Sequence, residues 1–401
     1  MPAPTERLYF ADPYLTTFRG RVVERGTLKG KSAVALDRSA FYPEGGGQPP
    51  DSGTLGGVAV IDVQAEGYVV WHALTGPLTG DEVEGVVDWA RRFDHMQQHH
   101  GQHLLSAAFE EVARLHTVSF HLGSESSTID LGARDITEAQ VVAAEELANR
   151  VIWEDHRVHA RFVSPEELAR LPLRKAPVVD GPVRVVSAGD FDHSACGGTH
   201  PKSTGAVGLL HVRRWERRGA ETRVEFVCGG RALRDLRRKN ALLTRVTTGL
   251  TVGVDELEGA IQRIQGSEQQ TRKRLEDTLE RLASYEAAEL VAAATTVHGL
   301  PVVRRAVTDR TLVEIKWLAN AIASKGGVAL LGLAGERAQL VFASPSGSGV
   351  DCGALLRETL ARFGGKGGGQ ALMAQGGIPD AGKLENALDA ATATLGSKSR
   401  Q

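Results

Sequence analysis

The sequence predicts an α+β protein of four successive parts: an N-terminal β-barrel, an α+β domain, a helical hairpin or coiled segment, and a C-terminal α/β domain. Three observations carry this. Short β-favouring runs separated by glycine turns fill the first 88 residues. At Trp89 the composition changes abruptly to strong helix formers. After Gly299 strand-like and helix-like stretches alternate again.

In residues 1–88, runs such as Val22-Val23, Val58 to Ile61 and Tyr68 to Trp71 read as strands of a small barrel. Residues 89–240 form the second part. Trp89 to His116 contains no proline and a single glycine, Gly101, so it reads as one helix. Glu138 to Trp153 is a second helix, and Val183 to Val186 and Arg223 to Val227 are strands. In residues 241–298, Leu257, Ile261, Ile264, Glu268, Thr271, Leu275, Thr278, Leu282 and Tyr285 alternate spacings of four and three, the seam of a coiled coil or helical hairpin. In residues 299–401, strands Val302-Val303, Val328 to Leu333 and Gln339 to Ala343 accompany helices Leu312 to Ile322 and Ala354 to Phe363, followed by a glycine-rich loop.

The composition is that of a soluble globular protein, with 42% hydrophobic and 24% charged residues among 401. No apolar run approaches the ~20 residues that span a bilayer, and the N-terminus has no signal-peptide pattern, so the expectation is a cytoplasmic protein without membrane contact. Three widely spaced cysteines offer no disulfide framework. A net charge of −2 excludes a generally basic nucleic-acid coat but not local patches. Two arginine clusters stand out: Arg213, Arg214, Arg217 and Arg218 around Trp215, and Arg231, Arg234, Arg237, Arg238 with Lys239. Taken alone, each reads as a solvated face.

Chemistry concentrates in two motifs. His95, His99, His100 and His103 fall within nine positions of the first helix. Imidazoles four residues apart lie on one helix face about 6 Å apart along the axis and can converge on one ion. Two pairs qualify, His95 with His99 and His99 with His103. Cys196-Gly-Gly-Thr-His200 supplies a thiolate and an imidazole on a chain that can turn sharply at Gly197-Gly198. A His/His/Cys/His set suits Zn2+. Position 100 is histidine rather than glutamate, which excludes the HExxH metalloprotease pattern. Four protein ligands are the count of closed structural sites, whereas hydrolytic sites keep an open position, so both roles stay open on spacing alone.

These motifs, together with Phe41-Tyr-Pro-Glu-Gly45-Gly46-Gly47-Gln48-Pro-Pro-Asp51 upstream, resemble the alanyl-tRNA editing family, comprising AlaX proteins and the editing part of alanyl-tRNA synthetase. The resemblance pairs His99 with His103, leaves His95 outside the ligand set, and implies a catalytic zinc held by His99, His103, Cys196 and His200. Gly364 to Gly377 resembles the signature loop of the DHH-associated domain at the C-terminus of alanyl-tRNA synthetase. The match covers nearly the whole chain and is similar to the long AlaX form. The Asp-His pairs here are followed by Met96, Arg157 and Ser194, so the phosphoesterase chemistry of other proteins with that domain is absent. Two departures stand out. His100 occupies a position where the family usually has a small residue such as threonine, and Gln370 one where arginine is common.

The resemblance implies a hydrolase that deacylates mischarged alanine tRNA, serine esters first and glycine esters second, and edits without charging. Gln48 is the candidate polar group facing the aminoacyl moiety, beside His99 and Cys196 as catalytic candidates. Gly45, Gly46, Gly47, Asp51, Arg213, Arg214 and Lys366 are candidate contacts to substrate or tRNA. The helical segment and C-terminal domain are candidates for homodimer formation. The alternative is a non-catalytic tRNA- or RNA-binding protein with a structural zinc.

Overall fold

A computed structural model describes residues 3–174 and 183–397, as two compact units divided at Val246/Thr247. In the first unit, strands β1 (Thr17–Leu28), β2 (Lys31–Leu36), β3 (Gly53–Leu55), β4 (Val58–Glu66), β5 (Val69–Leu74) and β6 (Glu82–Val87) close on themselves in the order β1-β2-β5-β4-β3-β6. The last strand shows why: Glu82 and Glu84 alternate with buried Val83, Gly85 and Val87. Phe18, Leu36, Phe41, Leu55, Val63 and Leu74 fill the interior. A Cβ on Gly85 would lie 2.3 Å from the Phe18 ring, so glycine there is required by packing.

Asp88 ends the barrel and caps the next helix by accepting from the Arg91 N–H. That helix, α1 (Trp89–Ala113), is buried on all sides from residue 98 to 109, an interior element rather than an amphipathic one. Its one glycine has a physical reason: a Cβ at Gly101 would lie 2.2 Å from Cys228 Sγ. Strands β7 (Thr117–Leu122) and β8 (Ser127–Leu131) follow. Helix α2 (Glu138–Trp153) starts with a reciprocal Thr137–Gln140 capping box. Strands β9 (Val158–Val163), β10 (Val183–Ala188) and β11 (Asp192–Ala195) form a three-stranded antiparallel sheet. Strands β12 (Leu210–Arg218) and β13 (Glu221–Cys228) complete a second sheet, ordered β12-β13-β8-β7. Leu104, Phe109, Ile129, Val141, Ala148, Leu210 and Phe226 join this sheet, α1 and α2 in one core.

Helix α3 (Gly229–Leu250) runs past the division, and α4 (Leu257–Ala292) opens the second unit as a single 36-residue helix. The expected seam along it is not buried. Ile264, Leu275, Leu282 and Tyr285 are each more than half exposed. Burial falls instead on Ala260 near its start and on Ala283 and Ala287, where the last turns of the helix pack on the following domain. There, β14 (Thr295–Val297), β15 (Leu300–Val307), α5 (Leu312–Ser324), β16 (Val328–Leu333), β17 (Ala338–Ala343), α6 (Cys352–Phe363), β18 (Lys366–Gly369), β19 (Met373–Ile378) and α7 (Leu384–Ser397) build a six-stranded sheet, order β14-β15-β16-β17-β19-β18. Helix α5 is the crossover between the parallel pair β15 and β16. The sheet is covered on both faces. Val302, Leu330 and Phe342 meet α6 and α7, while Val303, Leu331 and Val341 meet α4 and α5.

The glycine-rich stretch expected as a loop is instead the β18–β19 hairpin. Its backbones approach so closely that a Cβ on Gly367 would lie 2.3 Å from Gly376 Cα. Among the described residues, no helix is long and apolar enough to cross a membrane.

Candidate metal centre

Helix α1 places His99 and His103 one turn apart on the same face, with ring centroids 5.2 Å apart. The turn after β11 brings Cys196 and His200 against them. Cys196 Sγ lies 3.4 Å from His99 Nε2 and 3.2 Å from His200 Nε2. One ligand atom from each of the four residues falls within 4.8 Å of the others. The turn is possible because Gly198 has no side chain: a Cβ there would sit 2.2 Å from His99 Cε1 and 2.8 Å from Gln48 Oε1. Arg184, 6% exposed, fastens the turn by donating from one guanidinium nitrogen to the carbonyls of Cys196 and Gly198, both at 2.9 Å.

The triple glycine does related work. Gly45 and Gln48 exchange backbone hydrogen bonds across a tight turn, with Gly46 and Gly47 at φ +53° and +77°. A Cβ on Gly47 would also meet the Phe120 ring at 2.6 Å. The turn drives the Gln48 side chain into the protein, where it is 0% exposed. Its Oε1 accepts from Thr199 N at 3.1 Å and lies 2.8 Å from His99 Nδ1, and its Nε2 donates to Thr199 Oγ1 at 2.8 Å. With these contacts made, Gln48 is a buried support for His99 and Thr199. Both ends of its amide are thus engaged by Thr199 and His99.

Asp192 supports His103 in the same way, with Oδ2 3.1 Å from His103 Nδ1 and Oδ1 bound by Arg174 Nε at 2.5 Å. His100 lies behind His200, their Nδ1 atoms 3.1 Å apart.

The electrostatics follow from these contacts. Burial alone would raise the Cys196 thiol, but His99 and His200 beside it, with hydrogen bonds from His103 and His200, hold it well below its ordinary range. Burial opposes a proton on His103, yet hydrogen bonds to Asp192 and Cys196 raise its pKa to about 9. Burial lowers His200 to about 3 against the opposing pull of Cys196. Asp192 is desolvated, yet His103 and Arg174 keep its carboxyl below the usual carboxylate range. A low-pKa thiolate among three imidazoles is a soft, anionic donor set, and it fits a zinc ion.

Other candidates fall elsewhere. His95 is buried but outside the cluster. Asp51 is 1% exposed, its carboxylate clamped by Arg92 and capped by the Tyr42 N–H at 2.6 Å. It ties the barrel to α1. Arg213 pairs with Glu225 at 2.9 Å and Asp235 at 3.4 Å, and Arg214 with Glu225 at 2.8 Å. The β12–β13 register sets Glu225 opposite Arg214, so these arginines are largely neutralised by their own hairpin. Lys366 is exposed on β18, far along the chain in the second unit.

Sequence reasoning missed Asp192, Arg184 and Arg174. An acid four residues before Cys196 was a legible signal for Asp192. Nothing in the sequence marks Arg184, whose partners are main-chain carbonyls.

Two family models match this chain. One, the "Threonyl and Alanyl tRNA synthetase second additional domain", covers residues 183–224, and the other, the DHHA1 domain, covers residues 301–397. The protein therefore shares domains with aminoacyl-tRNA synthetases. Over its length it is 31% identical, across 405 residues, to the alanyl-tRNA editing protein AlaX-L of Pyrococcus horikoshii, covering 97% of this chain and 98% of that one. It is also 33% identical over 402 residues to the alanine–tRNA ligase of Methanoregula boonei and 31% over 405 residues to that of Pyrococcus abyssi, in each case 96% of this chain and 43% of the ligase. The chain thus spans less than half the length of those ligases. It belongs to the AlaX-L family of alanyl-tRNA editing proteins.

Proposed function

We propose that the protein is a trans-editing hydrolase that deacylates mischarged alanine tRNA, serine esters first and glycine esters second, in the cytoplasm. The observation that carries this is the convergence of His99, His103, Cys196 and His200 within 4.8 Å in a chain aligned end to end with an AlaX-L protein.

When bound, zinc supplies Lewis-acid chemistry, polarising an ester carbonyl and acidifying water. The protein's own groups do the rest. His99, His103 and His200 are buried and form the floor of the site, while Cys196 is half-buried between exposed Ala195 and Gly197. Substrate enters on that side. Gln48 and Asp192 fix the rings of His99 and His103, so the donor atoms need no reorganisation during turnover. The exposed Gly46 and Gly47 of the glycine turn offer backbone to an incoming aminoacyl ester without side-chain obstruction. A site that hydrogen-bonds the serine hydroxyl rejects alanine by ~10⁴-fold, which ranks serine above glycine. Lys366, exposed on β18, contacts phosphate on the tRNA.

The deciding experiment is deacylation of Ser-, Gly- and Ala-charged alanine tRNA with and without a chelator. Faster release of alanine than of serine sinks the proofreading assignment. The closed count of four ligands favours a second reading, a non-catalytic RNA-binding protein with structural zinc. Cys196→Ala separates the two: loss of hydrolysis with the fold intact supports the enzyme, and unfolding supports the structural ion.

A further inference from the structure

Three imidazoles of the centre each turn Nδ1 away from the cluster, and each Nδ1 meets a different group. His99 meets Gln48 Oε1 at 2.8 Å, His103 meets Asp192 Oδ2 at 3.1 Å, and His200 meets His100 Nδ1 at 3.1 Å. The first two contacts have one solution. The Gln48 amide is oriented by Thr199, whose N–H points at Oε1 and whose hydroxyl receives Nε2, so Oε1 can only accept. An ionised Asp192 can only accept too. His99 and His103 therefore carry a proton on Nδ1 and turn Nε2 inward, and in a metal-loaded form that Nε2 would be the ligand nitrogen.

The third contact sets two imidazoles nitrogen to nitrogen, so one must donate and the other accept. We infer that His100 is a positioning residue, accepting the Nδ1 proton of His200 and so holding the bare Nε2 of His200 toward Cys196. This rests on the reading that His99, His103, Cys196 and His200 hold a metal.

The assignment has a consequence visible in the structure. If His100 Nδ1 accepts, its own proton sits on Nε2. His100 is 0% exposed, and its Nε2 has no hydrogen-bond partner among the described residues. A buried donor left in this state costs stability, and an aliphatic residue at position 100 would avoid it. The side chain serves His200 at the expense of its own far nitrogen.

The test uses the full-length protein with zinc alone as ligand. Affinity is read by competition with a chromogenic chelator, and geometry by the visible absorption of the cobalt-substituted form. His100→Leu removes the acceptor and should weaken zinc ~10–100-fold, the usual effect of losing an outer-shell partner, with a changed cobalt spectrum. His100→Asn places its carboxamide oxygen where Nδ1 stands and should restore most of the affinity and the parental spectrum. His100→Gln places that oxygen near the Nε2 position and should not. The Asn/Gln comparison keeps the test decisive if the leucine variant does not fold. Parental affinity and spectrum in His100→Leu overturn the inference, as does a His100→Asn no better than His100→Gln. If the parent protein itself binds no zinc, the metal reading falls, and this inference falls with it.

Discussion

Gly198 and Gly197 differ by one position and by everything around them. A Cβ at Gly198 would strike the His99 ring and the Gln48 amide, whereas one at Gly197 meets nothing within 4 Å. Gly198→Ala should therefore push His99 from its place and lower deacylation ~10²-fold, the scale of a misplacement of about 1 Å. Gly197→Ala should be far milder. Assaying both on Ser-charged alanine tRNA, with melting temperatures as controls, checks this; equal losses would show that the turn, rather than the His99 contact, sets the requirement. Gln48→Leu removes the acceptor for His99 and should weaken zinc ~10–100-fold without unfolding the barrel. Retained zinc affinity in that variant would mean that Gln48 does not hold the ring.

Between elements, the Asp51–Arg92 pair joins barrel to helix in a fully buried setting, with Arg92 also donating to the carbonyls of Pro13 and Ala40. Removing one partner leaves the other charged and unpaired. Asp51→Ala should then lower stability by about 3–5 kcal/mol in urea denaturation. A stable variant with weakened RNA binding would mark Asp51 as a contact to RNA. Inside the barrel, His72 lies between Ser39 Oγ at 2.7 Å and Val34 O at 3.2 Å, and burial lowers its pKa to about 4. An unfolded histidine titrates near 6.5. Between those values the unfolded chain binds the extra proton, so stability falls as pH drops from about 6.5 to about 4 and changes no further below, with a slope of at most ~1.4 kcal/mol per unit. Urea midpoints across that range should fall in the parent and fall less steeply in His72→Gln, the remaining slope coming from the other buried histidines with lowered pKa values, His95, His100 and His200. A parallel fall in both would assign the effect to other groups.

Across the whole molecule, legibility depended on whether a signal was local. The β-rich start, the helix at Trp89, both metal motifs and the α/β alternation after Gly299 are periodic or compact in sequence, and the structure places elements there. Three things were not local. The α4 seam has coiled-coil spacing, but burial is decided by what the chain packs against, and that is Ala283 and Ala287. Gln48 read as a polar group facing the aminoacyl moiety, because only the fold reveals its bonds to Thr199 and His99. Arg213 and Arg214 were candidate tRNA contacts because their acids, Glu225 and Asp235, arrive from the next strand and helix. This last point predicts the salt dependence of tRNA binding. Lys366→Ala should flatten the slope of log K against log salt by about 0.9, one phosphate contact, while Arg213→Ala should leave it nearly unchanged. A larger change for Arg213→Ala would show that its ion pairs open on the RNA.

The two halves of the metal centre are made at different times. His99 and His103 leave the ribosome about a hundred residues before Cys196 and His200, and neither pair alone can satisfy a tetrahedral ion. Metal capture would thus be a late event, coupled to the docking of the cysteine turn on a helix already in place, and a bound ion would act as a staple across a long stretch of chain. A nascent or nicked chain lacking that turn would hold its histidines ready but unable to retain the metal, so metal retention doubles as a readout of completed assembly.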